Sequence, residues 1–275
     1  MDGILLKRLL LNAGISIQTV ESLKQYLYRM GIKCYQERVA ADPELKKIVV
    51  EIENYGSLTS HYAYKTDSGD DINTNHIRIQ LALGVQALRR RLGVRIRPGE
   101  RVLDVGDPDG LFLKLVAGGG ISVNISEPCV LQVKRRGGKP VRADIESLPF
   151  KSAAADHLIC FETLEHLENP IKGLKELARV TRKSIFISIP YLERTRILRD
   201  NYQVGAPEQE NHIFEFSRED FENILTHAKL KVVHYEILNI FPQIRNPIRY
   251  GILKTFYFPL MFPKFQFMEL ARTGE

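Results

Sequence analysis

The stretch RVLDVGDPDG, residues 101–110, decides how the chain is read. Its first half is a short apolar, β-branched run that ends in glycine, the pattern of a buried strand. Its second half, Gly106 to Gly110, is a turn in which two glycines bracket two aspartates and Pro108. An open parallel sheet binds its ligand beyond the carboxyl ends of its strands. Asp104, Gly106, Asp109 and Gly110 are therefore expected at that edge. Glycine lets the backbone approach a ligand, and amides opening the next helix can face its negative end. The glycine spacing is not GxGxxG, so a nicotinamide dinucleotide is a poor fit.

Downstream, short apolar runs alternate with helical ones. ISVNI, PVRAD, HLICF, SIFISIP and KVVHYEI read as strands; VLQVKRR, IKGLKELARVTRK and SREDFENILTHA read as helices, the last capped by Ser217. Strand and helix in alternation, with unbroken apolar strands, predict a parallel sheet covered on both faces. The tail YGILKTFYFPLMFPKFQF is expected to supply a last strand that Pro259 stops. Upstream, the first 90 or so residues read as helical. Ser16 opens one helix that Gly31 is expected to end, Asp42 caps a second, and a third runs from about Asn75 to Leu92. The polar stretch LTSHYAYKTDSGDDINTN between them reads as a loop.

The order VLDVG…DG, VNISEP, ADIESLPF, ADHLICFETLEHLENP and HIFEFSREDF resembles the class I S-adenosylmethionine-dependent methyltransferases, nearest the branch acting on small molecules and lipids. The resemblance covers roughly residues 75–240. It implies an α/β, Rossmann-like seven-stranded methyltransferase sheet with a helical N-terminal extension. The implied domains are a helical cap or lid at 1–74, the core at 75–240, and an aromatic segment at 241–275 with the last strand and a pocket flap. S-adenosylmethionine is the implied cofactor. Asp104 would lie near its methionine amino group, with Gly106, Asp109 and Gly110 forming the loop. Asp144 would accept from the adenine amino group, Ile145 would offer a backbone amide, and Phe161 would pack beside the methionine part. Two positions depart from the family pattern. Pro108 stands where DxGxGxG has glycine, and Asn124 stands where the acid binding the ribose diol is expected, with Glu127 close enough to take that role. Asn accepts a hydrogen bond but brings no charge. These departures keep open an alternative: a catalytically silent binding module with the same fold.

Methyl transfer is an in-line displacement, so positioning supplies most of the acceleration. An oxygen or amine acceptor also needs a base, and His166 and His212 are the catalytic candidates, with Glu162 behind them. His61, His76, His157, His227 and His234 show no metal spacing, and no metal is expected. Tyr62 and Tyr64 are spaced to close over a sulfonium as part of a lid, or to be ordinary loop tyrosines. The run Arg89 to Arg101 offers contacts to RNA or anionic headgroups, but cations suit a helix C-terminus without any partner. The core lacks an NPPY-like tetrapeptide, so nucleic acid is not the expected partner and RNA methylation is the remoter alternative.

Composition sets the remaining bounds. A hydrophobic share of 44% and a charged share of 26% over 275 residues are those of a globular protein, and the net charge of +6 favours anionic partners only weakly. Cys34, Cys129 and Cys160 are odd in number and unpaired in spacing, which points to reduced thiols. No run approaches the roughly 18 apolar residues of a membrane span, and MDGILLKRLLLNAG is a poor secretory signal. A cytoplasmic enzyme with a small-molecule or lipid-like acceptor is expected. The aromatics Phe256, Tyr257, Phe258, Phe262, Phe265 and Phe267 beside Lys254 and Lys264 suit either a core strand with a flap or a peripheral membrane contact.

Overall fold

A strand that is apolar at almost every position must be covered on both faces, and the sequence around residue 103 meets that demand. In the computed structural model, which describes residues 16–55, 71–197, 212–238, 246–252 and 265–274, β1 (Val102–Val105) is buried at all four positions. The chain divides into two compact units.

The first unit holds, among the described residues, α1 (Ile17–Ala41), α2 (Pro43–Tyr55), α3 (Asp71–Leu92) as far as Gln86, and residues 246–252. Leu45, Ile48 and Ile52 are fully buried, one apolar stripe at helical spacing. Asp42 caps α2 as expected, accepting from the Leu45 amide at 3.1 Å. Its other oxygen takes the Gln86 amide at 3.1 Å and the Arg38 guanidinium at 3.1 Å. Two expectations fail here. Gly31 does not end α1, because an interior glycine costs only about 1 kcal/mol, whereas Pro43 opens the next helix and leaves Asp42 as the break. Residues 71–75 are helix rather than loop.

The second unit contains the sheet. After β1 come α4 (Leu111–Leu115), β2 (Ile121–Asn124), α5 (Glu127–Arg135), β3 (Lys139–Arg142), β4 (Ala155–Phe161), α6 (Pro170–Val180) and β5 (Thr181–Pro190). Then follow β6 (Arg196–Ile197), β7 (Phe214–Glu215), α7 (Arg218–His227), β8 (Leu230–Leu238) and β9 (Phe265–Arg272), with α8 (Pro247–Ile252) between the last two. The strand order is β3-β2-β1-β4-β5-β9-β8, a seven-stranded sheet in which β9 runs antiparallel to both neighbours. Residues 250–252 belong to α8, and the rest of the stretch expected to form a strand before Pro259 lies outside the described residues; the strand seen in the tail is β9. Phe267, Met268 and Leu270 are buried there, between β5 and β8.

Alternation along the strands separates two cores. Leu103, Val105, Leu158, Cys160, Ile185 and Ile187 pack with Leu174 and Leu177 of α6 and Phe221 and Leu225 of α7. Val102, Ile159 and Phe186, the residues between them, pack with Leu88 and Leu92 of α3, Leu113 of α4 and Phe267. Ser217 caps α7 as expected, accepting from the Asp220 amide at 3.2 Å.

Asp156, 5% exposed, ties the amino-terminal ends of three strands together. It accepts from the Arg101 amide at 2.9 Å and the Arg182 Nε at 2.9 Å. The amide bond first, with the Arg182 guanidinium, overcomes burial and holds its carboxyl down to about 2. A depressed carboxylate stabilises the fold above its unfolded value near 4 and loses that contribution as pH falls toward 2. Asp156→Asn should therefore cost about 1.5–3 kcal/mol at neutral pH. Thermal melts should also show a flatter loss of stability between pH 4 and 2 than the parent; an unchanged acid limb would show that the network is not what titrates.

Candidate active site

The strand order reverses between β1 and β4, which is where an open α/β sheet leaves a crevice at its carboxyl edge. Two chain ends meet there. Gly106, directly after β1, has φ 93° and donates its amide to the Val123 carbonyl at 2.8 Å. A Cβ on Gly106 would stand 2.1 Å from Thr163 Oγ1 and 2.7 Å from its Cγ2. Thr163 is itself held, donating to the Phe161 carbonyl at the end of β4 at 2.9 Å. Glycine at 106 is thus required twice, by conformation and by space.

The turn that follows is closed by its own carboxylates. Asp107 Oδ1 accepts from the amides of Asp109 at 3.0 Å and Gly110 at 2.6 Å, and Asp109 Oδ1 accepts from Leu111 at 3.0 Å. Asp109 Oδ2 pairs with Arg136 at 2.8 Å. The expectation that these helix-start amides face a ligand is corrected: they are already spent on Asp107 and Asp109. The same geometry accommodates Pro108. The positive φ angles of the turn fall on Gly106 and Gly110, and position 108 contributes no hydrogen to any of these bonds.

Asn124 completes the turn. Its Nδ2 donates to the carbonyls of Gly106 at 3.2 Å and Asp107 at 2.9 Å, and its Oδ1 accepts from the Ser126 amide at 2.8 Å. An aspartate could not make the two donations, which gives the departure from the family's acid a structural cause. Glu127 opens α5 at the surface, paired with Arg142 at 3.0 Å. Asp144 is exposed beyond β3 and accepts from the Glu146 amide at 2.9 Å, while the Ile145 side chain is buried in the core. Phe161 is half-buried, edge-on to Phe112 with centroids 5.7 Å apart.

The charge balance of this edge suits a cation. Asp104 and Asp107 are 3% and 2% exposed. Burial first, then the charges of Asp107 and Asp109, holds the Asp104 carboxyl well above its ordinary range, and burial raises Asp107 as well. Asp107 Oδ2 is buried without a hydrogen-bond partner. An orphaned carboxylate oxygen beside a second buried carboxyl is a fit for a ligand carrying an ammonium and a sulfonium.

A second group of polar side chains follows β4. Glu162 has φ 47°, an unusual conformation for a residue with a side chain. It accepts from Ser188 Oγ at 2.7 Å, and burial pushes its carboxyl up to about 7. A 3₁₀ turn over Leu164–His166 comes next, and Glu165 within it is fully buried. Neither Glu165 oxygen has a hydrogen-bond partner; burial, reinforced by the Glu162 charge, holds this carboxyl well above its usual range. The rings of His166 and His212 meet edge to face with centroids 4.9 Å apart. His212 Nδ1 lies 2.9 Å from Glu215 Oε1, and the Ile213 amide donates to the Glu165 carbonyl at 2.8 Å. The two histidines read separately from the sequence thus form one site. Glu165 was missed; in the sequence it is one more acid beside His166.

The remaining candidates are placed more simply. Within the arginine run, Arg89 donates to the Leu115 carbonyl, Arg91 pairs with Glu236, Arg95 with Glu269 at 3.0 Å and Arg101 with Asp156 at 3.7 Å. Four of the six arginines of the run thus have partners within the protein. Phe265 and Phe267 belong to β9; Phe256, Tyr257, Phe258, Phe262, Tyr62 and Tyr64 lie outside the described residues. His157 is buried against Phe186 and bonded to Glu100 at 2.9 Å, a structural role. Among the described residues no helix is long and apolar enough to cross a membrane.

Comparison with known proteins agrees with this geometry. A methyltransferase-domain family model matches residues 77–235, more than half of the chain. An uncharacterized protein of Methanocaldococcus jannaschii is 32% identical over 119 residues, 43% of this chain and 55% of that one. The demethylmenaquinone methyltransferase of Beutenbergia cavernae is 34% identical over 112 residues, 37% of this chain and 46% of that one. The chain spans about half the length of these curated relatives. Among solved structures, the 1,6-didemethyltoxoflavin-N1-methyltransferase of Burkholderia thailandensis, with its substrate and S-adenosylhomocysteine bound, superposes with a TM-score of 0.52 at 17% identity over 78% of this chain and 87% of that one. With the sheet order, the glycine-forced turn at the switch point and the family match in agreement, the chain belongs to the class I S-adenosylmethionine-dependent methyltransferases.

Proposed function

We propose that the chain transfers the methyl group of S-adenosylmethionine to a small-molecule or lipid-like acceptor. The observation that carries this reading is the pair of buried carboxyls, Asp104 and Asp107, beside Gly106 at the sheet edge where the fold places its crevice. Asp104 and Asp107 would hold the ammonium and offset the sulfonium charge. Glu127 would take the ribose hydroxyls in place of Asn124, whose amide is engaged by the turn. Asp144 and the Ile145 amide would read the adenine edge, and Phe161 would wall the methionine part. The bound cofactor supplies an electrophilic methyl group; the protein's part is to align the acceptor behind it and exclude water. His166, five residues beyond the end of β4, and His212, its ring 4.9 Å away, would serve the acceptor. The named relatives that state a substrate, demethylmenaquinone and 1,6-didemethyltoxoflavin, support a small organic acceptor.

Titration calorimetry of the full chain should give micromolar binding of both S-adenosylmethionine and S-adenosylhomocysteine. Asp104→Ala and Asp144→Ala should each weaken binding about 10-fold or more, the worth of a hydrogen bond to a charged group. No heat at millimolar ligand would turn the reading to the silent binding module, and parent-like affinity in both variants would move the pocket elsewhere.

A further inference from the structure

Glu165 is a fully buried carboxyl that the protein leaves without a hydrogen-bond partner on either oxygen. An isolated carboxylate is strongly disfavoured in such a place unless it is protonated or meets a cation. One oxygen of Glu165, one ring nitrogen of His166 and one of His212 all lie within 4.8 Å of one another, the only such group of three among the described residues. We propose that Glu165, His166 and His212 bind a divalent transition-metal ion.

The donor set points to the class of ion. Two imidazoles and a carboxylate suit Zn²⁺, Mn²⁺ or Fe²⁺, whereas Mg²⁺ and Ca²⁺ prefer all-oxygen shells. The scaffold holds the donors from both sides. Glu165 and His166 are adjacent on the 3₁₀ turn, and the Ile213 amide bond to the Glu165 carbonyl pins the segment that carries His212. Glu215 accepts from His212 Nδ1, which leaves Nε2 as the lone-pair donor; a carboxylate behind a ligating histidine is the usual way its ring is oriented. Three protein ligands leave a coordination position open, as in catalytic rather than structural sites.

The use of that open position rests on the proposed methyl transfer. A hydroxyl oxygen of the acceptor would occupy it, and the metal would ease loss of the hydroxyl proton to solvent. The oxygen electron pair then forms the bond to the methyl carbon while the carbon–sulfur bond breaks, its electrons remaining on sulfur. The metal keeps its oxidation state throughout. Acceptors bearing a hydroxyl, rather than a bare amine or carbon, are the class selected.

The test uses the full chain stripped with a chelator and dialysed. Calorimetry with ZnCl₂ and MnCl₂ should show one site per chain, CoCl₂ should give visible absorption bands of a nitrogen- and oxygen-ligated ion, and MgCl₂ should bind at least about 100-fold more weakly. Glu165→Gln, which keeps the shape of a side chain with no partner to lose, and His212→Ala should each weaken the site about 100-fold. S-adenosylhomocysteine should still bind both variants, which shows them folded. Absence of stoichiometric binding of Zn²⁺, Mn²⁺ and Co²⁺, or parent-like affinity in both variants, would overturn the proposal and leave Glu165 as a buried protonated acid. Metal binding without any S-adenosylhomocysteine binding would defeat the proposed methyl transfer and leave the metal site standing.

Discussion

Gly106→Ala should remove cofactor binding and lower stability by about 3–5 kcal/mol, among the largest losses a single methyl can cause. Two penalties combine at this position. Its φ of 93° is strained for any residue with a Cβ, and the added carbon would stand 2.1 Å from Thr163 Oγ1, 2.7 Å from Cγ2 and 2.9 Å from Cβ. Thr163 cannot simply rotate away, because its hydroxyl is donated to the Phe161 carbonyl. The ends of β1 and β4 must therefore part, and that opens the edge where Asp104 and Asp107 sit. Gly137→Ala provides the control: φ is 76°, but nothing lies within 4 Å of the new carbon. It should cost only the conformational part, about 1–2 kcal/mol. Melting temperatures should separate the two by roughly 2–4 °C for each kcal/mol of difference. Thr163→Ala in the Gly106→Ala background removes the Oγ1 and Cγ2 contacts but not the Cβ contact, so rescue should be partial. Equal melting temperatures for the two single variants would show that the strand ends are not in this contact.

Much of this arrangement was legible in the sequence, and the failures share a cause. Local signals held where a residue acts on its own neighbours. Asp42 and Ser217 cap their helices, VLDVG is a strand, and Gly106 follows it at a positive φ. Local signals misled where long-range partners decide. The strand between β5 and β8 is Phe265–Arg272, a choice made by pairing with two distant strands and invisible in the local pattern of the tail. Pro108 and Asn124 looked like losses when each was set singly against a family pattern. In the structure they are parts of one device, a turn whose amides are satisfied by Asp107 and Asp109 and whose carbonyls are tied by Asn124. Glu165 carried no local signal, because its significance lies in an absence of partners and in a histidine far along the chain.

Asn124→Asp follows from that device and runs against the family pattern. The substitution puts the expected acid where the resemblance calls for it, so a reading by motif alone predicts tighter cofactor binding. The structure predicts the reverse. Aspartate keeps the acceptor for the Ser126 amide but loses both donations, so the carbonyls of Gly106 and Asp107 would face a carboxylate instead of an amide. The new charge would also join Asp104, Asp107 and Asp109, which are already crowded at this edge. Two lost hydrogen bonds with repulsion in their place should cost about 2–4 kcal/mol and weaken S-adenosylhomocysteine binding about 10-fold or more. Asn124→Ala loses the same donors without adding charge, so it should fall between the parent and Asn124→Asp in both melting temperature and affinity. Lower pH should narrow the gap between the two variants, since a protonated aspartate sheds its charge and regains one donor. If Asn124→Asp instead bound S-adenosylhomocysteine more tightly at an unchanged melting temperature, residue 124 would be reading the ribose directly, and the turn would be held by Asp107 and Asp109 alone.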